Sequence, residues 1–147
     1  MTWLNALPGD TGTMCADLSF ATARSSDIHT APTVLVVEDQ VLLRLYVSDM
    51  IEQAGYTVLS AENADEALTV ISSNPQIRIV FSDLEMPSEM TGLELGHHLS
   101  RTRPEMGFVL TSGRQMPGSA ALPPRGLFVP KPFLESDVCA ALQRCVH

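Results

Sequence analysis

Short apolar runs alternate with helical stretches along most of this chain, and this alternation constrains its fold more than any other feature. The apolar runs that resemble strands lie at residues 33–37, 56–60, 77–82, 108–112 and 127–130. The stretches with a helical period lie at residues 41–54, 63–73, 93–102 and 135–146. Strands and helices joined by short connections predict a parallel sheet with helices on both faces. We therefore expect an α/β domain of five strand–helix units, (βα)5.

The positions of the prolines refine this expectation. Pro130 lies inside the last strand and lacks an amide hydrogen, so this strand belongs at an edge of the sheet. An edge position for the fifth strand fits the doubly wound, flavodoxin-like strand order 2-1-3-4-5. Residues 113–126 contain Pro117, Pro123 and Pro124 between two terminal glycines, which disfavours a regular helix. The helix between the fourth and fifth strands is expected to be short, irregular or missing.

Residues 1–31 differ in character from the rest of the chain. They show no sustained periodicity, are rich in Thr, Ser, Ala, Gly and Asp, and end just before Pro32. We expect a flexible extension over residues 1–31 and one folded domain over residues 32–147.

The composition argues against several classes of partner. The chain has 147 residues and a formal net charge of −8, and its basic residues are scattered, so neither nucleic acid nor an anionic membrane is expected as the main partner. No apolar run approaches the roughly 20 residues of a membrane span. The amino terminus lacks the features of a secretory signal. Cys15, Cys139 and Cys145 show no CxxC pattern and are interpreted as reduced thiols. These features predict a cytoplasmic protein.

Polar side chains follow the strands at the points where they end. Glu38 and Asp39 come after the first strand, and Asp83 comes after the third. Ser112 ends the fourth strand, and Lys131 follows the fifth. The carboxyl ends of parallel strands share one edge of an open sheet, where ligands bind. Three carboxylates, a hydroxyl and a lysine at this edge predict a site for a divalent cation and a phosphoryl group.

These residue types match the needs of phosphoryl transfer to a carboxylate. Mg²⁺ prefers oxygen ligands, so Glu38, Asp39 and Asp83 are its candidate ligands. Asp83 is also the candidate nucleophile, which would form an acyl phosphate. Ser112 would donate a hydrogen bond to a phosphoryl oxygen, and Lys131 would place a positive charge beside it. Each residue alone is also compatible with an ordinary turn or helix cap, and their joint occurrence at strand ends is what favours the site.

Four motifs in this order resemble the receiver domain of bacterial two-component response regulators. They are Val36-Val37-Glu38-Asp39, Phe81-Ser82-Asp83-Leu84-Glu85-Met86-Pro87, Thr111-Ser112-Gly113 and Lys131-Pro132-Phe133. The resemblance covers residues 33–147. It implies that Asp83 is the phosphoacceptor and that Glu38, Asp39 and Asp83 hold Mg²⁺ together with the backbone carbonyl of Glu85.

The resemblance also implies a conformational switch. Ser112 and Lys131 take the positions of the switch hydroxyl and lysine. Phe128 takes the position of the aromatic residue that changes rotamer on activation. The Lys131–Pro132 bond is expected to be cis, as in the family.

Residues 107–114 are similar to the PFxFATGY stretch of a subgroup of single-domain receivers in alphaproteobacteria, whose helix before the fifth strand is poorly formed. Gly107 replaces the proline of that stretch and Arg114 replaces its aromatic residue. In this register Ser112, rather than Thr111, takes the hydroxyl position. The subgroup implies a sensor histidine kinase of the HWE or a related type as the phosphodonor.

Two further features bear on how such a receiver behaves. Glu85 and Arg114 lie two residues beyond the phosphoacceptor and the switch hydroxyl, positions that modulate the rate of phosphoryl loss in the family. We expect them to form an ion pair or a hydrogen bond. Residues 113–126 either become ordered when Ser112 moves toward the phosphate or stay mobile in both states.

The leading hypothesis is a stand-alone receiver that is not an enzyme. It would accept a phosphoryl group on Asp83 from a histidine kinase or a phosphotransfer protein and signal by contact with an unknown downstream protein. One alternative is a binding module whose contacts ignore phosphorylation. Another is a small phosphohydrolase with Asp83 as nucleophile and Glu85 as general acid.

Overall fold

The computed structural model describes residues 31–86, 88–114 and 121–146. The strands within these ranges are β1 (Thr33–Val37), β2 (Thr57–Ala61), β3 (Ile77–Asp83), β4 (Gly107–Ser112) and β5 (Leu127–Pro130). The helices are α1 (Val41–Gln53), α2 (Ala64–Ser73), α3 (Gly92–Thr102) and α4 (Glu135–Val146). The predicted extension over residues 1–31 lies, apart from residue 31, outside the described residues.

All five strands pair in parallel and form one sheet with the order β2-β1-β3-β4-β5. The flavodoxin-like strand order predicted from the sequence is therefore confirmed. Pro130 lies on β5 at the edge of the sheet, where its missing amide hydrogen leaves no ladder bond unmade. Between β4 and β5, the described residues 113–114 and 121–126 contain no α-helix, as expected from the prolines, while residues 115–120 lie outside the description.

Two apolar cores cover the faces of the sheet, because successive strand residues point to opposite sides. The core between the sheet and helices α2 and α3 includes Leu35, Val37, Ile71, Leu95 and Leu110. The core between the sheet and helices α1 and α4 includes Val36, Ile51, Phe81, Val109 and Leu142. Burying one such side chain contributes roughly 1.5–3 kcal/mol. The two cores together hold the sheet, and therefore its carboxyl edge, in a fixed position.

The loop that follows β3 ends at the N-cap of α3, Thr91. The Thr91 N–H donates to Glu94 Oε1 at 2.9 Å, and the Glu94 N–H donates to Thr91 Oγ1 at 3.1 Å. This reciprocal capping box satisfies two amides that helix geometry leaves without partners. It fixes the start of α3 and, with it, the far end of the loop that follows Asp83.

The oxidation state of one cysteine differs from the sequence-based prediction. Cys139 is buried in α4 and disulfide-bonded, so the prediction of three reduced thiols is wrong. Cys145 is free. Disulfide pairing depends on distance in the fold, which spacing along the chain does not reveal.

Over the described ranges, none of the helices combines the length and the apolar character that a membrane crossing requires.

Candidate functional site

Three carboxylates meet at the carboxyl edge of the sheet. Asp83 is the last residue of β3, and Glu38 follows β1 directly; both are buried, with 5% and 4% of their surface exposed. Asp39 is half-buried beside them. One carboxylate oxygen from each of the three residues lies within 4.8 Å of the other two. The sequence-predicted acids are thus brought together at one point.

Lys131 lies against two of these acids. Its Nζ is 3.4 Å from Glu38 Oε1 and 3.4 Å from Asp83 Oδ2. The backbone N–H of Lys131 donates to the Ser112 carbonyl oxygen at 2.9 Å, which anchors the residue just beyond β5. One lysine charge therefore faces a cluster that carries three negative charges when all its acids are ionised.

Burial shifts the two buried acids, Asp83 and Glu38, toward their neutral forms. The pKa of Asp83 is raised by burial, against the opposing effects of Lys131 and the Glu85 backbone N–H. Burial likewise raises the pKa of Glu38, and the neighbouring charge of Asp83 adds to this, while the hydrogen bond from the Gln40 N–H and the lysine oppose it. A cation among these oxygens would relieve both effects.

The donor set fits a hard divalent cation such as Mg²⁺. All three residues offer carboxylate oxygens, the ligand type that Mg²⁺ prefers. Asp83 Oδ1 is buried and has no hydrogen-bond partner, so one oxygen of the central acid remains available for a ligand. Arg44, which the sequence analysis did not identify, donates from Nη1 to the Glu38 carbonyl oxygen at 2.8 Å and thereby holds the backbone of the cluster in place.

Ser112 lies on the other side of Asp83 and is already engaged. Its buried Oγ donates to Glu85 Oε2 at 3.3 Å and accepts from the Arg114 N–H at 3.0 Å. Arg114 Nε lies 3.6 Å from Glu85 Oε2, so the predicted ion pair between these residues is confirmed. The side chains of Arg114 and Glu85 are 80% and 44% exposed, and ion pairs between exposed side chains contribute little to stability.

The remaining residues that the sequence analysis singled out surround this arrangement. Phe128 lies on β5, half-buried against the core that also contains Leu110, its register partner on β4. The Lys131–Pro132 peptide bond is cis, as expected. Glu85 lies in the loop directly after β3, which places its backbone near the three acids.

Gly92 supports the position of Asp83 in a way that the sequence analysis missed. A Cβ atom at this position would lie 2.0 Å from the Asp83 carbonyl oxygen. The Gly92 N–H also donates to the Leu84 carbonyl oxygen at 3.0 Å. Any side chain at residue 92 would therefore push the backbone of Asp83 out of place. The only signal in the sequence was a glycine that closes the loop.

The raised pKa values predict a destabilising charge at neutral pH. A carboxyl group whose pKa is raised in the folded protein contributes stability below its ordinary pKa, and this is lost as the pH rises through the raised value. Asp83→Asn removes the charge and is expected to raise the melting temperature without divalent cations at pH 7.5 by roughly 2–8 °C, the shift that about 1 kcal/mol produces in a domain of this size.

This difference should shrink as the pH falls toward about 4, the ordinary range for aspartate. Mg²⁺ should raise the melting temperature of the wild type and have little effect on the variant. Calorimetry with and without a chelator measures both effects. Equal melting temperatures of the two proteins at every pH would contradict the prediction.

Comparisons with known proteins agree with this geometry. Residues 34–143 match the family model described as response regulator receiver domain. The chain is 34% identical over 118 residues to the sensor kinase CckA of Brucella abortus (strain 2308), a match that covers 75% of this chain and 12% of the kinase. It is 32% identical over 117 residues to the C4-dicarboxylate transport transcriptional regulatory protein DctD of Rhizobium meliloti (strain 1021), covering 78% of this chain and 25% of the regulator.

A solved structure supports the same assignment. The receiver domain of NtrX from Brucella abortus superposes with a TM-score of 0.67 at 30% identity, covering 77% of this chain and 97% of that one. The chain spans only a small part of the two curated relatives, so the assignment concerns the domain they share. The chain therefore belongs to the response regulator receiver domains, the phosphoryl-accepting modules of two-component systems.

Proposed function

We propose that this receiver accepts a phosphoryl group on Asp83 in a Mg²⁺-dependent reaction and signals by protein contact that depends on phosphorylation. One observation carries the proposal. A buried carboxylate at a strand end has two further carboxylates within 4.8 Å and a lysine at 3.4 Å. This is the arrangement that a metal-assisted transfer to an aspartate requires.

The proposed reaction assigns one role to each residue. Glu38, Asp39, Asp83 and the backbone carbonyl of Glu85 are the proposed Mg²⁺ ligands. When bound, Mg²⁺ would neutralise the charge of the incoming phosphate. An oxygen of Asp83 attacks phosphorus, the bond from phosphorus to the donor breaks with its electron pair leaving on the donor, and an acyl phosphate remains on Asp83. Lys131 neutralises one phosphoryl oxygen as this bond forms.

The proposed switch uses Ser112 and Phe128. To donate to a phosphoryl oxygen, the Ser112 hydroxyl must leave Glu85, which it contacts at 3.3 Å. Phe128 shares a sheet face with Ser112, so movement of the serine would open space that the ring can enter. Residues 113–126 follow Ser112 directly, and their ordering when the serine moves toward the phosphate is part of the same proposal.

A protein phosphodonor is supported by the surface beside the site. Helix α1 begins just after Asp39 and exposes four large apolar side chains, of which Leu42 is 81% exposed. They are Val41, Leu42, Leu45 and Tyr46. Exposed apolar side chains in such a group are typical of protein contact sites. We propose that the donor is a sensor histidine kinase, of the HWE or a related type, or a phosphotransfer protein, and that it contacts this surface.

The remaining parts of the proposal concern the setting of the domain. We propose a receiver over residues 32–147 with an extension over residues 1–31, in a cytoplasmic protein of stand-alone type. The match of residues 107–114 to the FATGY-like stretch supports the subgroup. The mass of the endogenous polypeptide, measured in cell extracts under denaturing conditions, tests the stand-alone arrangement. A polypeptide mass well above 15.9 kDa would contradict it.

The phosphoacceptor is tested by intact-mass measurement after incubation with acetyl phosphate, with and without Mg²⁺. We expect one phosphoryl adduct on the wild type, none without Mg²⁺, and none on Asp83→Asn. A wild type that stays unmodified while a control receiver reacts would favour the binding module whose contacts ignore phosphorylation. Turnover of a chromogenic phosphate ester would instead favour a phosphohydrolase.

The pair Glu85 and Arg114 is expected to set the lifetime of the phosphorylated state. Glu85→Gln removes a negative charge near Asp83 and weakens the hydrogen bond from the Ser112 hydroxyl, because an amide oxygen is a neutral acceptor, so phosphorylation by acetyl phosphate should become several-fold faster. Arg114→Ala is expected to change the rate of phosphoryl loss, because it removes the cation that faces Glu85. Mass measurements over time follow both rates. Rates of phosphoryl loss equal to the wild type in both variants would rule out a modulating role.

The proposed donor class is tested by phosphotransfer profiling. Purified histidine kinases from the same organism, including HWE-type kinases, are charged with radiolabelled ATP and mixed with the receiver. A cognate donor should transfer its label to the wild type and not to Asp83→Asn. Leu42→Ser should slow this transfer and leave the reaction with acetyl phosphate unchanged. If Leu42→Ser accepts label as fast as the wild type, the α1 surface is not the contact.

A further inference from the structure

Thr111 lies directly beside Asp83 in the sheet. The two residues are register partners in the parallel pair of β3 and β4, so their side chains point to the same face. Thr111 is 2% exposed. Both residues line a narrow cleft beneath the carboxyl edge, which has no room for a water molecule. Most of the cleft wall is apolar, and includes Val47, Phe81 and Phe133.

Two buried polar atoms in this cleft lack hydrogen-bond partners. Among the described residues, three buried side-chain atoms have none, namely Ser48 Oγ, Asp83 Oδ1 and Thr111 Oγ1. Asp83 and Thr111 share the cleft, whereas Ser48 does not line it. A carboxylate oxygen is an acceptor and a hydroxyl is a donor. A buried polar atom without a partner destabilises a protein, and its presence requires an explanation.

The other polar groups of the cleft already have partners. Glu38 Oε1 faces Lys131, and Glu38 Oε2 accepts from the Gln40 N–H. Lys131 has no acceptor to offer to a hydroxyl proton. Among the side-chain oxygens of the cleft that can only accept, Asp83 Oδ1 is the one with no hydrogen-bond partner. Because the two residues are register partners on neighbouring strands, rotation about the Thr111 Cα–Cβ bond turns its hydroxyl on the face that it shares with this oxygen.

We propose that Thr111 is a positioning residue for Asp83, an inference that rests on the proposed phosphoacceptor function. Its hydroxyl donates to Oδ1 and fixes the rotation of the carboxylate. Oδ2 then stays on the side of Lys131, where the phosphoryl group is received. Because a carboxylate oxygen has two lone pairs, Oδ1 can accept this bond and still face a cation. The sequence analysis had set Thr111 aside in favour of Ser112.

The test compares Thr111→Val with Thr111→Ser in self-phosphorylation by acetyl phosphate at saturating Mg²⁺. Valine keeps the shape of threonine and removes the hydroxyl, whereas serine keeps the hydroxyl. We expect the valine variant to react about tenfold more slowly, the loss expected for one hydrogen bond to a charged group. The serine variant should recover most of the rate. The fall should lie in the maximal rate and not in the donor concentration that gives half of it, because Thr111 does not contact the donor.

Thermal unfolding shows whether each variant is folded at the temperature of the rate measurement. In the proposal the Thr111 hydroxyl is bonded to Asp83 Oδ1, so Thr111→Val loses one hydrogen bond and is expected to melt somewhat below the wild type while remaining folded. Ser48→Ala, which removes the other unpaired hydroxyl, should leave the rate unchanged. If the valine variant does not fold, Thr111→Ala against Thr111→Ser gives the same comparison.

The outcomes distinguish the inference from the proposed function. A wild-type rate in a folded Thr111→Val or Thr111→Ala variant would overturn the role of Thr111 while the phosphoacceptor stands. A slow variant that serine does not rescue would also overturn it, because the lost rate would then follow shape and not the hydroxyl. A wild type that forms no adduct would overturn the proposed function, and the inference with it.

Discussion

The burial of carboxylates at one sheet edge is the constraint on which the site depends. Glu38 and Asp83 are almost completely buried, yet both hold oxygens within 4.8 Å of each other and of Asp39. Burial raises the pKa of each buried acid, and the single charge of Lys131 offsets this only in part. A cluster in this state gains stability from any cation that enters it. The same energetic cost that weakens the fold without a cation therefore favours the binding of a cation, as the proposed function requires.

The strand order determines which residues can share this edge. β3 lies between β1 and β4, so Asp83 has the acids after β1 on one side and Ser112 on the other. β5 lies two strands from β3, a distance of about 10 Å in a sheet. A long, flexible side chain can span it, and Lys131 Nζ ends 3.4 Å from Asp83 Oδ2. A shorter cationic side chain on the edge strand could not contact Asp83. The acids can be short because β1 and β3 are neighbouring strands.

Features that follow from local pattern could be predicted from the sequence, and features that depend on contacts across the fold could not. The strands, the helices, the edge position of Pro130 and the grouping of the acids follow from periodicity and strand ends. The space beside Gly92 depends on how close α3 lies to the Asp83 carbonyl. The disulfide of Cys139 and the cleft beside Thr111 also depend on distances between residues that lie far apart in the sequence. Nothing in the local sequence encodes such distances.

The hydrogen bonds of Ser112 define a competition within the site. Its hydroxyl has one proton, which it donates to Glu85 at 3.3 Å, so it cannot donate to a phosphoryl oxygen at the same time. In the proposed switch, phosphorylation therefore exchanges a carboxylate acceptor for a phosphate acceptor. Because Arg114 contacts both Ser112 and Glu85, this exchange also changes the first residues after β4. Under the proposed function, a phosphoryl group on Asp83 shifts this equilibrium only as far as it binds the released Ser112 hydroxyl more strongly than Glu85 holds it. The strength of the hydrogen bond from Ser112 to Glu85 would then set the free energy that the phosphoryl group has to supply.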